Sequence, residues 1–166
     1  MQEQNQFPKR KRNRLYGYDY SSPGMYFLTI CTKNKKKLFG EIIENAEDQT
    51  SVMRLTDIGI IINEQIQSIN RAAHIELVNY VVMPNHIHIL LFVDTFEHMS
   101  GNPENAIIPK TISGFKRLCH NRIGYDVFQR NYHDHIVRDQ HHFEIIWNYI
   151  EDNPRRWKED IFFIPE

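Results

Sequence analysis

The chain has 166 residues, against roughly 100–200 per domain, so one domain is the starting expectation. Hydrophobic residues make up 41% and charged residues 25%, ordinary for a globular core, and no apolar run reaches the roughly 18 residues of a membrane helix. The net charge of -1 hides an asymmetry: residues 1–40 hold nine Lys or Arg against two acids, a net of +7, and residues 41–166 hold eleven bases against nineteen acids, a net of -8.

Residues 1–14 lack periodicity and read as a flexible basic tail. It precedes a single domain over 15–158 and a second tail over 159–166. No apolar h-region follows the basic start, so a secretory signal is not expected. Lys9, Arg10, Lys11, Arg12 and Arg14 fit either an anionic partner, nucleic acid first, or a solvated tail. Tyr16, Tyr18 and Tyr20 follow in a turn-rich segment; they could stack unpaired bases or cover a sheet edge. Residues 25–32 read as a strand, and Asn34 with Lys33, Lys35, Lys36 and Lys37 as a basic turn. Residues 38–43 then return as the second arm of a hairpin, and 45–51 form a polar loop.

From Thr56 the period changes. Ile58, Ile62, Ile66, Ile69 and Ala73 recur at three or four residues, which predicts an amphipathic helix over 56–72 capped by Thr56 or Asp57. Residues 75–82 form a strand, Met83-Pro84-Asn85 interrupts it, and 86–93 form another, apolar on both faces and therefore central. The stretch 94–109 is a loop. Thr111 caps a helix over 112–123 that buries Ile112, Phe115, Cys119 and Ile123, and a short strand falls within 127–137. Asp139 caps a last helix over 140–152 with Phe143, Ile146, Trp147 and Ile150 on its apolar face, closed by Pro154. The two cysteines, Cys31 and Cys119, lie far apart; they offer neither a disulfide framework nor a four-thiolate zinc site and suit a reducing, cytoplasmic setting. The fold class is α+β: an antiparallel sheet with packed helices.

His86-Ile87-His88 is the most informative tripeptide. In a strand, residues i and i+2 share a face, so both imidazoles point one way while Ile87 points into the opposite core. Paired imidazoles are poor packing material and good neutral nitrogen ligands for a divalent metal, although a bare His-x-His also fits two solvent-facing side chains. A third ligand could come from the last helix. Tyr149 and Asn153, four apart, lie along one edge of its apolar stripe with His142 on the same row. The Asn153 amide oxygen beside two histidines makes a mixed N/O set that suits Mg²⁺ or Mn²⁺ more than zinc. Tyr149 would then present its phenol next to the metal. The bland alternatives are a tyrosine that buries its ring and an asparagine that ends a helix.

Four stretches carry a resemblance: 80–91, with Met83-Pro84-Asn85-His86-Ile87-His88; 26–32 with Leu38-Phe39-Gly40; 129–138; and 149–154 followed by Trp157. In this order they resemble the REP-associated tyrosine transposases, single-tyrosine transposases with a His-hydrophobic-His segment. The similarity runs from about residue 16 to 157. It implies a ferredoxin-like sheet with the histidines on a central strand. It also implies His86 and His88 as catalytic metal ligands, Tyr149 as nucleophile and Asn153 as a further ligand. Asn85 and His142 have no assured role. The implied reaction is metal-dependent cleavage and rejoining of single-stranded, hairpin-associated DNA through a 5′-phosphotyrosine. The ion would be Mg²⁺ or Mn²⁺, in a monomer or a homodimer without a membrane partner. Phosphate contacts would come from the two basic clusters and from Lys116, Arg117, Arg122, Arg130 and Arg138.

Two other readings stand beside it. One is a hairpin-binding module that does not cut. The other is a small metal-dependent phosphohydrolase built on His133-Asp134-His135 with Asp139, His141 and His142.

Overall fold

In the computed structural model of the protein, the described residues are 18–45, 50–95 and 106–165. The basic run at Lys9, Arg10, Lys11, Arg12 and Arg14, together with Tyr16, lies outside them. Six strands and three α-helices follow in chain order: β1 (Gly24–Cys31), β2 (Gly40–Glu44), β3 (Ser51–Leu55), α1 (Asp57–Gln67), β4 (Ile75–Val82), β5 (His86–Val93), α2 (Ile107–Ile123), β6 (His133–Val137) and α3 (Gln140–Asp152). Four strands make one antiparallel sheet in the order β4-β5-β1-β6. That is the ferredoxin-like order, with β5 and β1 central as the apolar pattern of β5 requires.

Alternation along the strands sorts the sheet into two faces. Tyr26, Leu28 and Ile30 of β1 and Ile87, Ile89, Leu91 and Val93 of β5 enter one core with Ile62 and Ile66 of α1 and Ile112, Phe115 and Cys119 of α2. On the other face, Leu90 meets Ile146 and Ile150 of α3, flanked by Met25, Phe27, Val78, Val81 and Phe143. Both helix starts proposed for the first and last helices hold. Thr56 accepts a hydrogen bond from the Gly59 amide and Asp139 one from the His142 amide, each satisfying a donor of the first turn.

Five expectations need correction. Residues 25–32 and 38–43 do not form a hairpin. Both edges of β1 are taken, by β5 and β6, whereas β2 pairs with β3 in a separate two-stranded sheet. Asn34 and Lys35, both left-handed at φ 57° and 53°, turn the chain off the sheet. Gly40 then leads into β2 at φ 154°, where a side chain would collide with the Arg54 carbonyl. Phe39 is fully buried there; its amide donates to the Pro84 carbonyl and its carbonyl accepts from the Thr56 amide. Secondly, the loop expected over 45–51 gives way to β3 at Ser51. Thirdly, α2 starts at Ile107 with Ala106 as N-cap, so Thr111 caps nothing. Pro109 sits in the first turn, where a missing amide hydrogen costs no intrahelical bond. Finally, Trp147 is 37% exposed and lies outside the α3 core contacts, while Tyr20 is buried and donates to Asp134 Oδ2 at 2.5 Å, which removes it from any base-stacking surface.

Candidate active site

The turn Met83-Pro84-Asn85 is the hairpin between β4 and β5, closed by the Met83 amide on the His86 carbonyl at 2.9 Å. It delivers His86 and His88 to the α3 face of the sheet. Both are buried, at 0% and 1% exposure, which two solvent-facing imidazoles would not be. Their Nε2 atoms face each other at 3.0 Å.

The remaining ring nitrogens are held from behind. Asn85 Nδ2 donates to the Lys35 and Phe162 carbonyls at 3.2 and 2.8 Å, so its Oδ1 is the atom turned to His86 Nδ1 at 2.9 Å. His86 Nδ1 therefore carries the proton of the neutral ring, and Nε2 presents a lone pair. His88 Nδ1 meets Thr29 Oγ1 at 2.8 Å, a hydroxyl that can donate or accept. Burial pushes the His86 imidazolium down to about 4, partly offset by the negative charge of Asp160. Burial, and then the neighbouring His86, push His88 well below its usual range. Two neutral, oriented imidazoles with opposed Nε2 atoms are a bidentate nitrogen site with its supporting hydrogen bonds in place.

Helix α3 crosses the same face, and the phenol of Tyr149 reaches the pair. Its oxygen is 3.3 Å from His88 Nε2 and 3.0 Å from Asp160 Oδ2, and its ring stands edge-on to His88 and Phe27. Burial first, and the Asp160 carboxylate next, push the phenol up to about 12. Asn153, one turn on, is 3% exposed. Its Nδ2 donates to Asp160 Oδ2 at 3.1 Å, and its Oδ1 is buried with no hydrogen-bond partner. Such an oxygen is costly unless something electropositive meets it, so the donor set fits a hard divalent cation: two imidazoles, an amide oxygen and a carboxylate.

The carboxylate is the residue that sequence reasoning missed. After α3 the chain makes a short 3₁₀ turn at Trp157–Glu159 and lays Asp160 and Phe162 over the imidazoles. Phe162 packs 4.7 Å from the His86 ring and Trp157 5.9 Å. The ligand atoms of His86, His88 and Asp160 lie within 4.8 Å of one another. The only hint in the sequence is an aspartate shortly after Trp157, in a stretch without apolar periodicity.

The basic residues sort by distance from this centre. The Lys33–Lys35 turn flanks it: Lys35 Nζ lies 5.6 Å from the Phe162 ring centre and Lys37 Nζ 5.8 Å from that of Phe163. Lys36 is exposed, and Lys33 is 3.5 Å from Asp126. Arg117, Arg130 and Arg138 are exposed, and Arg122 pairs with Glu64. Lys116 faces inward: its ammonium donates to the carbonyls of Gln129 and Arg130 at 2.7 and 3.1 Å, and burial lowers it to about 8. The second histidine group does not converge. Asp134 is on the α1–α2 face with Tyr20, opposite His133 and His135, and His142 only stacks edge-on against His135.

The chain is 31% identical over 176 aligned residues to an uncharacterized protein of Haemophilus influenzae, covering 93% of each. The two chains belong to one family. No family model matches the sequence. Among solved structures, a REP-associated tyrosine transposase bound to a REP hairpin aligns with a TM-score of 0.62 at 17% identity, over 89% of this chain and 74% of that one. The protein therefore has the REP-associated tyrosine transposase fold. Among its described residues no helix is long and apolar enough to cross a membrane.

Proposed function

We propose that the protein cleaves and rejoins single-stranded DNA beside a hairpin, with Tyr149 as nucleophile. The observation that carries this reading is the phenol oxygen of Tyr149 at 3.3 Å from His88 Nε2, within one chain. His86, His88 and the unpartnered Asn153 Oδ1 would hold Mg²⁺ or Mn²⁺. When bound, such a cation supplies Lewis-acid charge against the non-bridging oxygens of the scissile phosphate.

The chain's own residues account for the rest. Tyr149 Oη attacks phosphorus in line, the bond to the 3′-oxygen breaks, and a 5′-phosphotyrosine forms while the 3′-hydroxyl leaves. The phenol must lose its proton as the new bond forms, because a neutral phenol is a weak nucleophile. Asp160 Oδ2, 3.0 Å from the phenol, is the acceptor within reach, because His88 Nε2 would be committed to the cation. Reversal by a second 3′-hydroxyl reseals the strand without ATP, since the phosphodiester energy is kept in the phosphotyrosine. Lys33, Lys35, Lys36 and Lys37 flank the centre as backbone contacts, and Arg117, Arg130 and Arg138 offer further exposed charge. The Phe162 ring lies over both imidazoles, at 4.7 Å from His86 and 6.2 Å from His88.

The test is incubation with an end-labelled hairpin oligonucleotide and Mn²⁺, followed by a denaturing gel. The expected result is a slow-migrating protein–DNA adduct that is absent in Tyr149→Phe and in EDTA. Binding without an adduct would instead favour the non-cleaving module.

A further inference from the structure

We infer that Asp160 supplies the anionic ligand of the divalent-cation site, completing a set whose other members are His86, His88 and Asn153; this rests on the proposed reading of the two imidazoles as ligands. The Asp160 side chain is 1% exposed and lies 3.9 Å from His86 Nε2. Among the described residues no lysine or arginine lies within ion-pair distance of it. A buried carboxylate with no permanent cation beside it is expensive; in folded proteins such groups are paired or bind metals.

The surroundings position it as a ligand rather than as a strut. Oδ1 is anchored by the Phe162 amide at 2.6 Å, which fixes the carboxylate plane. Oδ2 is turned inward, accepting from Tyr149 Oη and Asn153 Nδ2 at 3.0 and 3.1 Å. That oxygen is 3.9 Å from His86 Nε2, and the ligand atoms of His86, His88 and Asp160 lie within 4.8 Å of one another. An all-neutral set of two imidazoles and an amide binds hard cations weakly; a carboxylate adds the charge that Mg²⁺ and Mn²⁺ favour.

The probe is Mn²⁺ alone, titrated into the full chain and followed through the electron paramagnetic resonance of the free ion. Asp160→Asn keeps the acceptor for the Phe162 amide and removes the charge. Its Mn²⁺ affinity should fall by more than about tenfold, the lower end of what a supporting contact alone is worth, with little change in Tm measured in EDTA. As a check that needs no variant, substoichiometric Mn²⁺ added to ¹³C-aspartate-labelled protein should broaden the Asp160 carboxyl signal before those of the other aspartates. Unchanged affinity in Asp160→Asn, an unbroadened Asp160 signal, or faster adduct formation at unchanged affinity would each overturn the inference and leave the segment as a cover only. The two readings fail separately. An adduct on Tyr149 with Mn²⁺ bound normally by Asp160→Asn sinks the inference alone; Mn²⁺ lost in Asp160→Asn without any adduct in the unaltered protein sinks the proposed reaction alone.

Discussion

The two faces of the four-stranded sheet are built from the same strands and do opposite things. On the α1–α2 face, β5 contributes Ile87, Ile89 and Leu91, all fully buried among aliphatic and aromatic neighbours. One residue out of phase, the same strand sends His86 and His88 to the α3 face, equally buried but among hydrogen-bonding groups. Apolar burial stabilises without direction, whereas each polar atom on the other face needs a partner in a set place. The first face secures the fold, and the second spends part of that stability on a preorganised polar centre.

Substitutions on the two faces should therefore separate cleavage from stability. The largest expected effect is on the α3 face: Tyr149→Phe should reduce adduct formation by about 10³-fold or more, as expected when a nucleophile is removed, while its urea midpoint stays close to the unaltered value. Leu28→Ala, on the other face, should do the reverse. It opens a cavity in a fully buried position and should cost about 2–5 kcal/mol in urea unfolding, with adduct yield per folded molecule unchanged. Equal loss of stability from both variants would erase the distinction.

Thr29→Val tests the support behind His88. Removing the hydroxyl at 2.8 Å from Nδ1 should weaken Mn²⁺ binding about 10–100-fold, read by calorimetric titration. Acid sharpens the contrast further. His86 titrates near 4 in the folded chain and near 6.5 when unfolded, so between these values the unfolded state binds more protons. Its contribution is present above about 6.5 and is lost as pH falls towards 4; urea midpoints should decline over that window, and less so in His86→Asn. The smallest effect is expected at Thr56→Ala, where loss of the α1 cap should cost about 1 kcal/mol and leave the adduct assay unaffected.

What was legible in the sequence follows the same division. Apolar residues on both faces place β5 centrally, and the two-residue repeat of a strand puts both histidines on one face; β5 is flanked by strands on both sides, so local pattern and tertiary environment agree there. The i, i+4 relation of Tyr149 and Asn153 survived because a helix edge is a local property. Strand pairing was less legible. The 25–32 and 38–43 segments look like hairpin arms by proximity, and only the left-handed pair Asn34 and Lys35 and the close approach at Gly40 send them to different sheets. Asp160 was invisible for a related reason. It reaches the site through a turn and a 3₁₀ segment whose path is set by Trp157 and Phe162 packing on His86, contacts that no periodicity announces.

The central claim is that Tyr149 attacks phosphorus at the imidazole pair. The most direct measurement is mass spectrometry of proteolysed protein after reaction with a hairpin oligonucleotide and Mn²⁺. The expected result is one peptide carrying a 5′-linked nucleotide remnant on Tyr149, absent after His88→Ala; a remnant on another residue, or cleaved DNA with no linked peptide, would contradict it.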